Sequence, residues 1–193
     1  MIVLLDMDDV LDDLLPAWVN WLNEKHGQSV SVEDITQWDM PAAYPELTGE
    51  QVYAPLETEE FWQTVLPKEG AVEGVQKLLD EGFEVYVVTA SSYKTLKYKT
   101  EHVLLKYFPM LTWKNVIVTD RKQLIRGDIL VDDGIHNLIE GEYLRVLMDA
   151  PHNRGIDDSL FDIFRAHNWN EVYSYISIAG RKPTYRGVKA KRR

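Results

Sequence analysis

The sequence predicts an α/β protein, a parallel β-sheet flanked by helices with a small helical segment inserted after the first strand. Three observations carry that expectation. Five short apolar runs, most rich in Val and Ile, are bounded by turn or acidic residues; helical patterns lie between the later runs; and residues 6–82 separate the first run from the second. Near-continuous apolar strands alternating with amphipathic helices are the pattern of a sheet buried on both faces.

The first run, Ile2 to Leu5, stops at the acids Asp6, Asp8 and Asp9. The gap to the next strand is far longer than a single crossover needs. Within it, Leu15, Trp18, Val19 and Leu22 repeat at helical spacing, a Pro- and Tyr-bearing middle follows, and a second short helix is expected around Glu59 to Val65. Residues 14–66 are therefore read as a helical cap over the carboxyl end of the sheet, where open α/β folds bind their ligands. Val72, Val75, Leu78 and Leu79 then mark a helix ending before Gly82. The remaining runs, Phe83 to Val88, Val116 to Val118, Ile129 to Val131 and Leu144 to Met148, are strands by length and composition, with a helix over Leu96 to Tyr107. The expected organisation is a core from residues 1–13 and 67–180, the cap 14–66, and a basic, loosely ordered tail 181–193.

With 193 residues, 45% of them hydrophobic, the chain has material for one compact core. Its net charge is −10, and seven of its 21 Lys and Arg residues crowd into 181–193, so the body is more acidic still. That balance does not suit a protein that coats nucleic acid, and no base-reading helix accompanies the basic tail, so no specific nucleic-acid partner is expected. The absence of cysteine excludes disulfide scaffolds, thiolate zinc sites and thiol nucleophiles. The opening MIVLLDMDDV resembles neither a signal peptide nor a membrane span, and a cytoplasmic protein with no membrane partner is expected.

Polar chemistry follows four of the strands. Asp6 and Asp8 leave the first strand with period-two spacing, on one face if the extended geometry continued. Thr89, Ala90 and Ser91 follow the second strand, Lys122 lies after the third, and Asp132-Asp133-Gly134 closes the fourth. A lone Asp-x-Asp is as well explained by a solvated turn or a helix cap. Carboxylates from two strand ends, however, can hold a hard divalent ion, preferably Mg²⁺, while a hydroxyl and an ammonium hold phosphate oxygens opposite it. Lys94 is a further phosphate candidate, with an ordinary solvated helix start as the alternative for it and for Lys97 and Lys99. Trp38 and Trp62, beside short helices or loops, are candidates for lining a base pocket, whereas Trp18 and Trp21 read as core. His152 and Asn153 follow the fifth strand, within reach of the site or as loop caps. The five histidines show no zinc spacing.

On these motifs, DMDDV (Asp6 to Val10), VYVVTAS (Val85 to Ser91), Lys122 and ILVDD (Ile129 to Asp133), the chain resembles the haloacid dehalogenase (HAD) superfamily of aspartate-dependent phosphohydrolases. More narrowly, DMDDVLDD, LPKEGAVEGVQKLL, DRKQLIRGDILVDD and LMDAPHNR resemble the 5'(3')-deoxyribonucleotidase family. The resemblance implies a HAD-like Rossmann-type core and hydrolysis of deoxyribonucleoside monophosphates through an aspartyl-phosphate. It implies Asp6 as nucleophile and Asp8 as general acid and base. Asp6, the main-chain carbonyl of Asp8, and Asp132 would bind Mg²⁺ with Asp133 in support; Thr89 and Lys122 would hold phosphate; family members often form homodimers. Asp9 stands where the family often has Gly, Leu14 where an aromatic residue stacks on the base in mammalian relatives, and Ala90 where a Ser lies near the phosphate. A phosphatase for another small phosphomonoester would use the same core. A non-catalytic nucleotide-binding protein is a further alternative, against which the presence of Asp8 argues.

Overall fold

The computed structural model describes residues 1–181. Its six strands are β1 (Ile2–Leu5), β2 (Glu84–Thr89), β3 (Val116–Val118), β4 (Ile129–Asp132), β5 (Leu144–Met148) and β6 (Ile163–Ala166). They form one sheet in the order β3-β2-β1-β4-β5-β6, and every pairing is parallel. The five expected strands are present, and β6 is an addition at the edge. The second strand starts one residue late because the Phe83 amide bonds to the Leu78 carbonyl at 3.0 Å, closing the preceding helix instead of joining the ladder. Gly82, at φ +84°, supplies the left-handed residue that this helix end requires.

Alternation along the strands divides the apolar residues between two faces. Val3, Leu5, Val85, Val87, Ile129, Val131 and Val146 point into a large core. Leu4, Val88, Leu130 and Leu147 point into a smaller one closed by Leu138 and Tyr143. The large core is covered by α1 (Leu14–His26), α4 (Ala71–Asp80) and α8 (Trp169–Arg181), and it runs on into the inserted segment through Tyr44, Phe61 and Trp62. The segment also contains α2 (Gly49–Tyr53) and α3 (Glu59–Trp62), joined by single 3₁₀ turns. Between β2 and β3, the expected helix is α5 (Tyr93–Lys99), a π-helical turn over Thr100–Leu104, and α6 (Leu105–Tyr107). A short α7 (Ile135–Ile139) follows β4.

The chain leaves the sheet and returns to it through one narrow neck. Asp12 pairs antiparallel with Pro67; the Asp13 amide bonds to the Leu66 carbonyl at 3.0 Å and the Lys68 amide to the Leu11 carbonyl at 2.9 Å. The Lys68 ammonium meets Asp13 at 2.7 Å across the same junction. The strand order reverses between β1 and β4, so the carboxyl ends of these two strands flank the crevice in which open α/β sheets bind ligands. Among the described residues no helix is long and apolar enough to cross a membrane. From residue 182 on, the expected basic tail lies outside the described residues.

Candidate active site

The crevice is built from the ends of β1 and β4. The Asp6 amide bonds to the Val131 carbonyl at 2.9 Å, extending the ladder one residue beyond β1. The chain then turns, with the Leu11 amide bonded to the Met7 carbonyl at 2.8 Å. Extended geometry therefore ends at Asp6, and the turn carries Asp8 toward different partners. Asp9 sits at φ +57°, the left-handed region that Gly enters freely and that Asp tolerates better than most residues. The Asp9 carboxylate accepts the Leu15 amide at 2.9 Å and so caps the start of α1, rather than pointing freely into solvent.

Asp6, Asp132 and Asp133 each offer a carboxylate oxygen within 4.8 Å of the others, and all three residues are buried. Lys122, only 2% exposed, places its ammonium 2.7 Å from both Asp6 Oδ1 and Asp132 Oδ2. The second Asp132 oxygen accepts the Gly134 amide at 2.8 Å and the Asn137 side-chain amide at 3.0 Å. A Cβ at position 134 would lie 3.1 Å from that oxygen and 2.8 Å from the His136 ring, so a larger residue there would push on both side chains. The Asp133 main-chain carbonyl accepts the Asn153 side-chain amide at 2.9 Å, and Arg165 donates to Asn153 Oδ1 at 2.6 Å. Asn153 is thus a buried strut behind the acidic cluster.

Burial, followed by repulsion from Asp6, pushes Asp132 up to about 7 and Asp133 up to about 8, against the pull of Lys122. Burial pulls the Lys122 pKa down, but Asp6 and Asp132 outweigh it and hold it above the usual lysine value. A compact all-oxygen donor set whose members repel one another in low dielectric suits a hard divalent cation, which removes the repulsion that one ammonium only partly offsets.

Asp8 takes no part in that cluster through its side chain. Its Oδ2 meets the Lys99 ammonium at 2.6 Å, and Lys99 also donates to Thr89 Oγ1 at 2.8 Å. Burial raises the Asp8 pKa, with Lys99 opposing. The Lys99 side chain is 1% exposed, which corrects its reading as part of a solvated helix start. One sequence signal pointed the other way: Leu96, Lys99 and Val103 share a helical face.

A cavity of about 400 Å³ stands over Asp6, Asp8, Lys122 and Asp133. Its walls include Leu14 and Trp38 from the inserted segment and Ala90 from the end of β2. Trp38 is 57% exposed and packs edge-on against His136 and His152, with ring centroids 4.9 and 5.0 Å away. A smaller cavity of about 280 Å³ shares Asp8, Leu14 and Ala90 and adds Ser91, Trp62 and Lys99. Trp62 therefore does not line the main cavity: it is buried, its indole N–H held by the Leu56 carbonyl at 2.8 Å. Lys94, the further phosphate candidate, lines neither cavity. It lies on the surface in a 3.1 Å ion pair with Glu57, the solvated alternative for that residue.

Residues 1–182 match the family model described as 5' nucleotidase, deoxy (pyrimidine), cytosolic type C protein. The chain is 37% identical over 176 residues to the 5'(3')-deoxyribonucleotidase of Bacillus subtilis, covering 89% of this chain and 95% of that protein. It is 29% identical over 168 residues to a protein of the same description from Clostridium acetobutylicum, covering 87% and 90%. Among solved structures, a haloacid dehalogenase-like hydrolase from Streptococcus pneumoniae shares the fold at a TM-score of 0.64 with 12% identity, over 91% of this chain and 97% of that one. Sheet order, acidic strand ends and a sequence match over residues 1–182 agree, and the chain belongs to this 5'-nucleotidase family of phosphomonoester hydrolases, built on the HAD-like fold.

Proposed function

We propose that the chain is a Mg²⁺-dependent 5'(3')-deoxyribonucleotidase that cleaves deoxyribonucleoside monophosphates into deoxynucleoside and phosphate. The observation that carries this reading is the convergence of Asp6, Asp132 and Asp133 within 4.8 Å, beside the Lys122 ammonium and beneath a cavity walled in part by an exposed indole. The family description and the names of the Bacillus and Clostridium relatives support the substrate class.

In this reading an Asp6 oxygen attacks phosphorus, and the bond from phosphorus to the nucleoside oxygen breaks. Asp8 gives its proton to that departing oxygen. Water then attacks the aspartyl-phosphate, passing a proton to Asp8, and Asp6 is released with inorganic phosphate. Asp6, the Asp8 main-chain carbonyl and Asp132 would hold Mg²⁺, with Asp133 in support; when bound, the ion offsets the joint negative charge of carboxylates and phosphate. Thr89 and Lys122 hold phosphate oxygens, assisted by the chain at Ala90 and Ser91. Residues 14–66 serve as a cap, and Trp38 and Leu14 face the base. A cytoplasmic setting belongs to the same reading and is drawn from the acidic, cysteine-free sequence.

A phosphate-release screen over deoxy- and ribonucleoside monophosphates and sugar phosphates, with and without Mg²⁺, tests the assignment. Metal-dependent release from deoxyribonucleotides, with kcat/KM at least about tenfold above sugar phosphates, is expected from the contribution of base stacking. Release from sugar phosphates alone would assign the core to a different phosphomonoester.

A further inference from the structure

We propose that Lys99 is a positioning residue of the catalytic centre, one that aims the Asp8 carboxyl at the departing oxygen and ties it to Thr89. The inference rests on the nucleotidase reading above. Three independent features of the structure point to it.

The first is bonding. Among the described residues, the Lys99 ammonium supplies the only hydrogen bond to the Asp8 carboxylate, whose other oxygen is buried and unpartnered. The same ammonium reaches Thr89 Oγ1 at the end of β2. One side chain thus fixes the distance between the proton carrier and a phosphate-side hydroxyl. Proton transfer to a departing oxygen is efficient only when the acid sits within hydrogen-bond reach of it, so orientation of Asp8 enters the rate directly.

The second is location. A fully buried lysine is rare without a demand for its charge, because desolvating an ammonium is costly. Lys99 nevertheless lies on the inward face of α5, with Lys97 of the same helix left at the surface. The helix switches to a π-turn at the next residue, Thr100, a local widening that recurs beside functional groups and here shifts the register after Lys99.

The third is its neighbour across the cavity. The ammonium lies 5.6 Å from the centre of the Trp62 ring, within the range of a cation–π contact. Trp62 belongs to α3 of the inserted segment. Lys99 therefore touches the proton carrier, the phosphate side and the insertion at once.

A purely structural lysine and a positioning lysine differ in what their loss does to different leaving groups. The wild-type chain and the variants Lys99→Met and Lys99→Arg are compared on the best deoxyribonucleotide and on p-nitrophenyl phosphate, both with saturating Mg²⁺. The nucleoside oxygen departs as a poor leaving group that needs the Asp8 proton, whereas p-nitrophenolate departs without one. We expect Lys99→Met to lower kcat for the deoxyribonucleotide by roughly 100-fold, at the lower end of general acid–base contributions. Its KM should stay within about threefold, because the change affects the transition state and not ground-state binding. The pre-steady-state rate of p-nitrophenol release should fall at least about tenfold less, since that step bypasses the proton. Lys99→Arg, which keeps the charge and the donors, should recover a large part of kcat.

Equal losses on the two substrates, a loss confined to KM, or no loss at all would overturn the inference while the nucleotidase reading stands. An inactive wild-type chain on every deoxyribonucleotide overturns the reading, and the inference with it. Should Lys99→Met fail to fold, as judged by circular dichroism, Lys99→Gln takes its place with the same expected ratio between substrates.

Discussion

Two buried lysines divide the acidic loop after β1 between them, and they do so differently. Lys122 clamps Asp6 to Asp132, two carboxylates from adjacent strand ends, at 2.7 Å each. Lys99 clamps Asp8 to Thr89 and leaves the acidic cluster alone. The two aspartates are separated by one residue in sequence, yet the turn at Met7 sends them to separate electrostatic environments. One half gathers three carboxylates around a single ammonium; the other holds a single carboxyl next to a single ammonium. Enzymes that need two carboxylates in two roles commonly assign the roles through such environments rather than through residue type.

The largest expected effect separates the halves most sharply. Asp6→Asn should reduce phosphate release to background with the circular dichroism spectrum unchanged, because it exchanges the proposed nucleophilic carboxylate for a neutral amide of the same shape. Normal release by that variant would eliminate the proposed nucleophile. Next comes metal binding, read without turnover. Mg²⁺ should raise the melting temperature of the wild-type chain, and the gain should vanish in Asp132→Asn but survive in Asp8→Asn, whose side chain lies outside the cluster. A shift lost equally in both would dissolve the distinction between the halves.

Lys122→Met probes the clamp itself. Removing one partner of a buried ion pair costs about 3–5 kcal/mol, and here two carboxylates would be left facing each other. Urea unfolding should show that loss in chelator and a partial recovery in Mg²⁺. A variant as stable as wild type in chelator would mean that the acids discharge by taking up protons instead.

The smallest effect concerns support from far along the chain. Trp169 is buried, and its indole N–H donates to the Val10 carbonyl at 2.7 Å, holding the turn that carries Asp8 and Asp9. Trp169→Phe deletes that donor and leaves a buried carbonyl unpaired, for a cost of about 1–3 kcal/mol. Denaturant melts should detect it, with kcat falling by a few-fold at most.

Legibility in the sequence followed the same division. The Asp6–Lys122–Asp132 half was readable because each residue lies at the end of, or in the loop after, a strand that announces itself as an apolar run, and a parallel sheet brings strand ends to one edge. Asp8–Lys99 was not, since Lys99 reaches the site from mid-helix, and the helical face it shares with Leu96 and Val103 is the one sequence signal that separates it from its exposed neighbour Lys97. Lys94 misled in the opposite direction: five residues from Thr89 in sequence, it turns outward to Glu57. The strand β6 escaped because Ile163–Ala166 is an edge strand, only partly buried and interrupted by Arg165, so it shows no continuous apolar run. The helix α8 carried a readable spacing in Trp169, Val172 and Ile176, all buried, but its role as an anchor for the Asp8 turn depends on a bond spanning most of the chain. Asp9 became intelligible only through its backbone angle.

The neck between Asp12 and Pro67 has a consequence of its own. Because departure and return are held together by adjacent main-chain bonds, the ends of the excursion stay a fixed short distance apart, and each doubling of its length adds only about 0.6 kcal/mol of closure cost. The sheet then behaves as a socket with a fixed plug spacing. Exchanges would be confined to the part of the excursion beyond α1, because Leu15, Trp18, Val19 and Leu22 of that helix belong to the large core, while the neck bonds hold both ends in place.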